Sequence, residues 1–277
     1  MKSFVYAFSA LMAVFFSAGI AAHPIVLPLY PDGSVHEIAD GGTWEPEVHV
    51  YLPETSGGLA VVVCPGGGYK GLSFGSEGQS VAKWLNERGI AAIVVRYRMP
   101  RERADVPCRD VAEAFRITRS HAAEWGIDPD RVGIMGFSAG GHLASMALTT
   151  FKSDIRPDFG ILVYPVISMI PPEAHGGSKA NLLGHSPEEK TMKAYSSHLR
   201  VTAQTPPTLL VHCSDDPAVT PANSVLFYEA LVHAGVRAEL HIFPEGGHGW
   251  GFGAISFRYR DEFESILTRW LSEQNER

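Results

Sequence analysis

Apolar residues along this 277-residue chain come in short runs of strand length, divided by segments where they recur every three or four positions. Residues 59–64 and 90–95 are unbroken apolar runs, the pattern of strands covered on both faces. Runs at 159–164, 208–213 and 238–243 read as further strands, and residues 48–52 alternate well enough for an edge strand. Helical spacing predicts a helix over 79–88, with Val81, Ala82 and Leu85 inward and Gly89 as its cap. A longer helix is predicted over 107–124, opening on Pro107 and placing Val111, Ala114, Phe115 and Thr118 on one face. Two more cover 221–233 and, approximately, 256–273. Buried strands alternating with helices imply right-handed crossovers, and so a mostly parallel sheet with helices on both faces. Residues 24–47 are rich in Pro, Gly and Asp and read as an irregular lead-in. Residues 168–205 also break the rhythm, with Pro171-Pro172, Gly176-Gly177 and three histidines, and little apolar periodicity. A long excursion leaving the C-terminal end of a strand lies over the ligand edge of such a sheet, so this one is expected to be a cap, or else a surface insertion.

The chain is organised around residues 131–150. The apolar run 132–135 predicts a buried strand, Gly136-Phe137-Ser138-Ala139-Gly140 a sharp turn, and Leu143, Met146, Ala147 and Leu148 a helix. A serine at such an apex is forced into a strained backbone, and glycine two residues away on each side permits strand and helix to approach. The hydroxyl then stands above the sheet, beside N–H groups that open the next helix and can receive developing negative charge. Ser138 is the expected nucleophile and the Ala139 N–H one oxyanion donor. Pro65-Gly66-Gly67-Gly68-Tyr69, closing the strand at 59–64, is costly to order and reads as a loop needing bare N–H groups beside a ligand. Gly67 and Gly68 are its candidate donors. A phosphate-binding role is the weaker reading, because no Gly-Lys-Ser/Thr follows.

Composition narrows the class. At 45% hydrophobic residues the chain can bury one large core, and residues 23–277 are expected to form a single α/β domain. A net charge of −7 without a lysine- or arginine-rich run argues against nucleic acid as a partner. Lys2, the uncharged run 4–20 and the small residues at 18–22 predict a signal peptide over residues 1–22, hence export to the periplasm or medium and no membrane association afterwards. Three cysteines, Cys64, Cys108 and Cys213, leave at least one unpaired, and no essential disulfide is expected. The histidines show neither a Cys-x-x-Cys partner nor a His-Glu-x-x-His pattern, so no metal is expected.

A serine hydroxyl needs a base, and the base an orienting carboxylate. On this fold the order is serine, acid, histidine, each beyond a strand. Asp216 follows the strand at 208–213 in Ser214-Asp215-Asp216-Pro217-Ala218-Val219, with Asp215 as its competitor. His248 lies in Gly246-Gly247-His248-Gly249-Trp250-Gly251 after the last strand, and the other eleven histidines are read as structural.

With these pieces in this order, the chain resembles a serine hydrolase of the α/β-hydrolase fold. Cys-Pro-Gly-Gly-Gly-Tyr at 64–69, Gly-Phe-Ser-Ala-Gly-Gly-His-Leu-Ala at 136–144, Tyr-Pro-Val-Ile-Ser at 164–168, Asp-Asp-Pro-Ala-Val-Thr-Pro-Ala-Asn-Ser at 215–224 and Gly-Gly-His-Gly-Trp-Gly at 246–251 are similar to secreted bacterial acetylxylan esterases, a carbohydrate-esterase group sometimes labelled xylanases. The resemblance covers roughly residues 45–275. It implies deacetylation of plant-wall polysaccharide, an acetylated carbohydrate as the partner, and neither metal nor cofactor. The alternatives left open are a feruloyl or general carboxylesterase and a catalytically silent carbohydrate-binding module. A glycoside hydrolase would need paired carboxylates about a sugar cleft, and no persuasive pair stands in the sequence.

Overall fold

A computed structural model describes residues 24–31, 44–253 and 257–276; the expected signal peptide at 1–22 lies outside the described residues. Eight strands form one sheet: β1 (Ile25–Pro28), β2 (Glu47–Tyr51), β3 (Gly58–Cys64), β4 (Ala91–Arg96), β5 (Ile127–Phe137), β6 (Gly160–Val163), β7 (Thr208–Cys213) and β8 (Ala238–Phe243). Their order is β1-β2-β4-β3-β5-β6-β7-β8. β1 pairs antiparallel with β2, and β2 with β4; every later pairing is parallel. This is the α/β-hydrolase fold. Among the described residues no helix is long and apolar enough to cross a membrane.

The unbroken apolar runs have the two-sided burial their pattern demands. In β3, Ala60, Val62 and Cys64 join one core while Leu59, Val61 and Val63 join the other. β4 divides likewise, Ala91, Ile93 and Val95 against Ala92 and Val94. One face is covered by α2 (Asp105–Ser120), α3 (Ala122–Trp125), α4 (Ser138–Thr150) and α7 (Ala222–His233); the other by α1 (Ser80–Asn86) and α8 (Arg260–Asn275). Fully burying one large side chain contributes about 2–3 kcal/mol, so Phe115 and Phe227 on one side and Phe263 and Trp270 on the other are main anchors.

Three expectations need correction. The lead-in is not wholly irregular, because residues 25–28 form β1. The strand expected at the edge is covered by β1, so β2 is interior; β1 has four residues, the last of them Pro28, too few to show a period. The helix expected over 107–124 is two, parted at His121, with Gly126 at φ +65° closing the second. The true edge opposite β1 is β8, only partly buried and flanked by charge: Arg269 Nη2 meets Glu239 Oε2 at 2.6 Å. Such a charged rim discourages further strand pairing.

Every parallel strand ends at the same edge, and there α4 is pressed against β3. A Cβ on Gly140 would lie 2.1 Å from the Cys64 carbonyl oxygen and 2.4 Å from that of Pro65. No side-chain adjustment relieves contact with backbone. Gly140→Ala is therefore expected to lower folding stability by about 2 kcal/mol or more, whereas Gly71→Ala, with open space around its Cβ, should be near neutral. Urea midpoints of the two variants check this.

Candidate active site

Ser138 is the first residue of α4, directly after β5, and its φ is +52°. A non-glycine residue in the left-handed region costs of order 1–2 kcal/mol. The elbow is held there by its neighbours: the Ser138 carbonyl accepts from Val166 N–H at 3.0 Å, just past β6. Ser138 is buried, and its Oγ lies 2.9 Å from His248 Nε2. His248 sits in the loop after β8, and its Nδ1 is 2.6 Å from Asp216 Oδ2. The structure thus joins the three side chains expected from the sequence, from the ends of β5, β7 and β8.

Asp216 is 8% exposed, so its charge needs partners. Burial pushes its carboxyl up, but hydrogen bonds from His212, His248 and the Val219 N–H outweigh this and hold it well below the usual carboxylate range. Oδ1 accepts from the N–H groups of Ala218 and Val219, each at 2.9 Å. A carboxylate only accepts, so His248 Nδ1 carries the proton and Nε2 is free to accept the Ser138 hydroxyl proton. His212 was missed as a site residue. It is fully buried in β7, its Nε2–H faces the Val219 carbonyl at 2.9 Å and Asp216 Oδ2 at 3.2 Å, and its Nδ1 meets Ser224 Oγ at 2.8 Å. Within the strand pattern it is one polar residue in an apolar run, and only its neighbours in space give it a role. Asp215 does different work: it is exposed and accepts from Gly247 N–H at 2.8 Å, bracing the loop that carries His248.

The glycine loop after β3 lies beside this group. Gly66 N–H is taken by Glu77 Oε2 at 2.7 Å. A Cβ on Gly67, whose φ is +136°, would lie 2.1 Å from the Gly71 carbonyl oxygen, so glycine is obligatory there. The N–H groups of Gly67, Gly68 and Ala139 have no protein acceptor among the described residues.

Residues 168–205 contain α5 (Gly176–Leu183), α6 (Glu189–Ala194) and a 3₁₀ turn (Ser197–Arg200). Asn181 Nδ2 in α5 donates to the Gly68 carbonyl at 2.8 Å, so the segment reaches the glycine loop. His175 caps α5 by accepting from Ser178 N–H at 3.2 Å, which leaves its proton on Nε2. Burial lowers its basicity, and both His248 and Asp216 act on it electrostatically. A second tie runs through Tyr69, whose hydroxyl donates to His142 Nδ1 at 2.7 Å, while His142 Nε2–H donates to the Tyr195 carbonyl at 2.7 Å. Sequence reasoning named none of Glu77, His142, Tyr164, Asn181 or His175 as site residues, and periodicity carries no signal that would single them out. Among the described residues, no three His, Cys, Asp or Glu side chains converge as a metal cage.

Similarity to known proteins extends over most of the chain. The profile of the prolyl oligopeptidase family matches residues 79–276. The chain is 44% identical to an acetylxylan esterase of Xylanibacter ruminicola over 227 residues, 80% of this chain and 47% of that protein. It is 33% identical to endo-1,4-beta-xylanase B of Butyrivibrio fibrisolvens over 68% of this chain and 32% of that one. It therefore spans about half the length, or less, of these relatives. Among solved structures, an acetyl ester-xyloside bifunctional hydrolase from Caldicellulosiruptor lactoaceticus superposes with a TM-score of 0.84 at 36% identity, covering 92% of this chain and 98% of that one.

His142 gives a pH dependence of stability. Burial pushes it down from 6.5 to about 4, against a smaller opposing effect from the Tyr195 carbonyl. Between those values the unfolded chain binds a proton that the folded one refuses. Stability is thus complete above about pH 6.5 and falls as pH drops toward 4, by about 3 kcal/mol in all from this group. In His142→Gln, whose amide does not titrate, urea midpoints should fall less over pH 6.5–4.5 than in the unaltered protein.

Proposed function

The chain belongs to the prolyl oligopeptidase family of α/β-hydrolase enzymes, and we propose that it is a serine esterase removing acetyl groups from acetylated plant-wall polysaccharide or its oligosaccharides. The observation that carries this reading is the continuous chain Asp216–His248–Ser138, at 2.6 and 2.9 Å, beside N–H groups with no protein acceptor. The acetyl group is argued from the printed activities of the X. ruminicola and C. lactoaceticus proteins. A family named for peptidases shares a scaffold and a nucleophile, and neither fixes the leaving group.

In this mechanism Ser138 Oγ attacks the acetyl carbonyl as His248 Nε2 takes its proton. Asp216 holds the imidazole in the required tautomer and stabilises the imidazolium, while His212 keeps Asp216 ionised. Ala139, Gly67 and Gly68 N–H groups receive the oxyanion. His248 then protonates the departing sugar hydroxyl, the acetyl-enzyme forms, and water repeats the sequence to release acetate. Residues 168–205 act as the cap that shapes the sugar site, reaching it through Asn181 and His175. Residues 1–22 direct export, which suits a polymeric substrate outside the cell.

Acetate release from acetylated xylan, measured beside a feruloyl ester and p-nitrophenyl acetate, tests the proposal. Release should be rapid on xylan and fall by several orders of magnitude in Ser138→Ala. Hydrolysis of p-nitrophenyl acetate alone would keep the chemistry and reject the polysaccharide; no Ser138-dependent turnover would leave a silent binding module.

Asp216→Asn should lower kcat by about 10⁴-fold through the wrong tautomer. Asp215→Asn should cost far less, because its partner is a loop amide. Steady-state kinetics of both variants would expose an exchanged assignment.

A further inference from the structure

Glu77 is a buried carboxyl that the mechanism above does not use. It lies in the π-helical turn Gly75–Gln79 before α1 and is 3% exposed. A buried carboxylate without compensating donors costs several kcal/mol, so its partners indicate its work. Burial pushes its carboxyl up; the Tyr164 hydroxyl, the Gly66 N–H and the nearby His248 favour the charged form without fully offsetting this.

Both oxygens are engaged, each by a different piece of the site. Oε2 accepts from Gly66 N–H at 2.7 Å, at the start of the glycine loop. Oε1 accepts from the Tyr164 hydroxyl at 2.7 Å, and that hydroxyl in turn accepts from Gly251 N–H at 3.0 Å, three residues past His248. The Tyr164 ring packs on His248 with centroids 4.7 Å apart. The same turn is tied to the His248 loop again where Phe252 N–H donates to the Ser76 carbonyl at 3.2 Å. Space is equally tight on the nucleophile side. A Cβ on Gly66 would fall 2.8 Å from Glu77 Oε2 and 2.9 Å from Ser138 Cβ, so carboxyl, loop and nucleophile share one small volume.

We infer that Glu77 is a positioning residue, a single buried acid that sets the glycine loop and the His248 loop in register about Ser138 through Gly66 and Tyr164. This inference rests on the esterase reading above. By consuming the Gly66 N–H, Glu77 leaves the next two amides, Gly67 and Gly68, to face the oxyanion. By holding Tyr164, it supports the ring against which His248 packs. Misplacing donor and base by about 1 Å costs on the order of a hundredfold in rate, which is the scale expected on its loss.

The test uses the full chain with p-nitrophenyl acetate as substrate, comparing E77Q, E77A, Y164F and E77Q/Y164F, with Ser138→Ala as reference and thermal melting of each. E77Q keeps shape and can still accept from Gly66, so it should melt close to the unaltered protein. Its kcat should fall about ten- to a hundredfold with KM changed by less than about threefold. E77A should lose more, Y164F should resemble E77Q, and the double variant should be no worse than the poorer single one, because both cut the same joint. Should E77Q fail to fold, Y164F carries the same expectation. A folded E77Q and Y164F with unchanged kcat, beside an inactive Ser138→Ala, would overturn the positioning role alone. Hydrolysis that persists in Ser138→Ala would overturn the esterase reading, and this inference with it.

Discussion

A carboxylate kept ionised out of water is the constraint on which this site depends. Asp216 is compensated from four sides: His248, His212 and the amides of Ala218 and Val219. Those donors come from β7, from the turn after it and from the loop after β8, so the charge can be tolerated only where these elements meet. Charge-assisted hydrogen bonds are about twice as strong as neutral ones, which outweighs the burial of the group. From that fixed negative point the rest follows in sequence. The proton must stay on His248 Nδ1, Nε2 must accept, and the serine hydroxyl is the group within reach.

Much of this was legible in the linear sequence, and the reason is specific. β3 and β4 are buried on both faces, so their apolar runs have no competing period, and their bounds fall within a residue of those observed. The elbow at Ser138 was legible because a strand, a serine between glycines and a helix are contiguous, and the steric demand that selects glycine acts over a few residues. Asp216 and His248 followed from strand ends and glycine. Two kinds of residue escaped. β1 was hidden because four residues that pair with only one neighbour need no strong pattern. His212, Glu77 and Tyr164 were hidden because their partners are 4 to 87 positions away, and a side chain's local sequence says nothing of what the fold brings against it.

The segment at 168–205 shows the same limit from the other side. It adds no strand to the sheet, yet it is fastened firmly. Asn223 Oδ1 accepts from the amides of Ile167 and Ser168 at 2.9 Å each, and Ser145 Oγ meets Ser197 Oγ at 2.7 Å. Beside these hydrogen bonds to α4 and α7, Met169 and Leu182 enter the core singly, without the regular spacing that a hydrophobic pattern would reveal. These ties fix the position of Asn181 against the glycine loop, so the segment is part of the site's framework.

In the hydrogen-bond chain Asp216–His248–Ser138 the serine and the histidine are 110 positions apart, and the histidine lies beyond the last strand of the sheet. A chain emerging from the ribosome therefore contains its glycine loop, Ser138 and Asp216 before it contains His248. The hydrogen-bond chain is incomplete until β8 has docked along β7 and brought the loop that follows it to Ser138. Completion of the three-residue hydrogen-bond chain thus reports the docking of β8, the last strand of the sheet in sequence. A chain still lacking β8 and the loop after it has the Ser138 elbow without the imidazole that meets it in the folded protein.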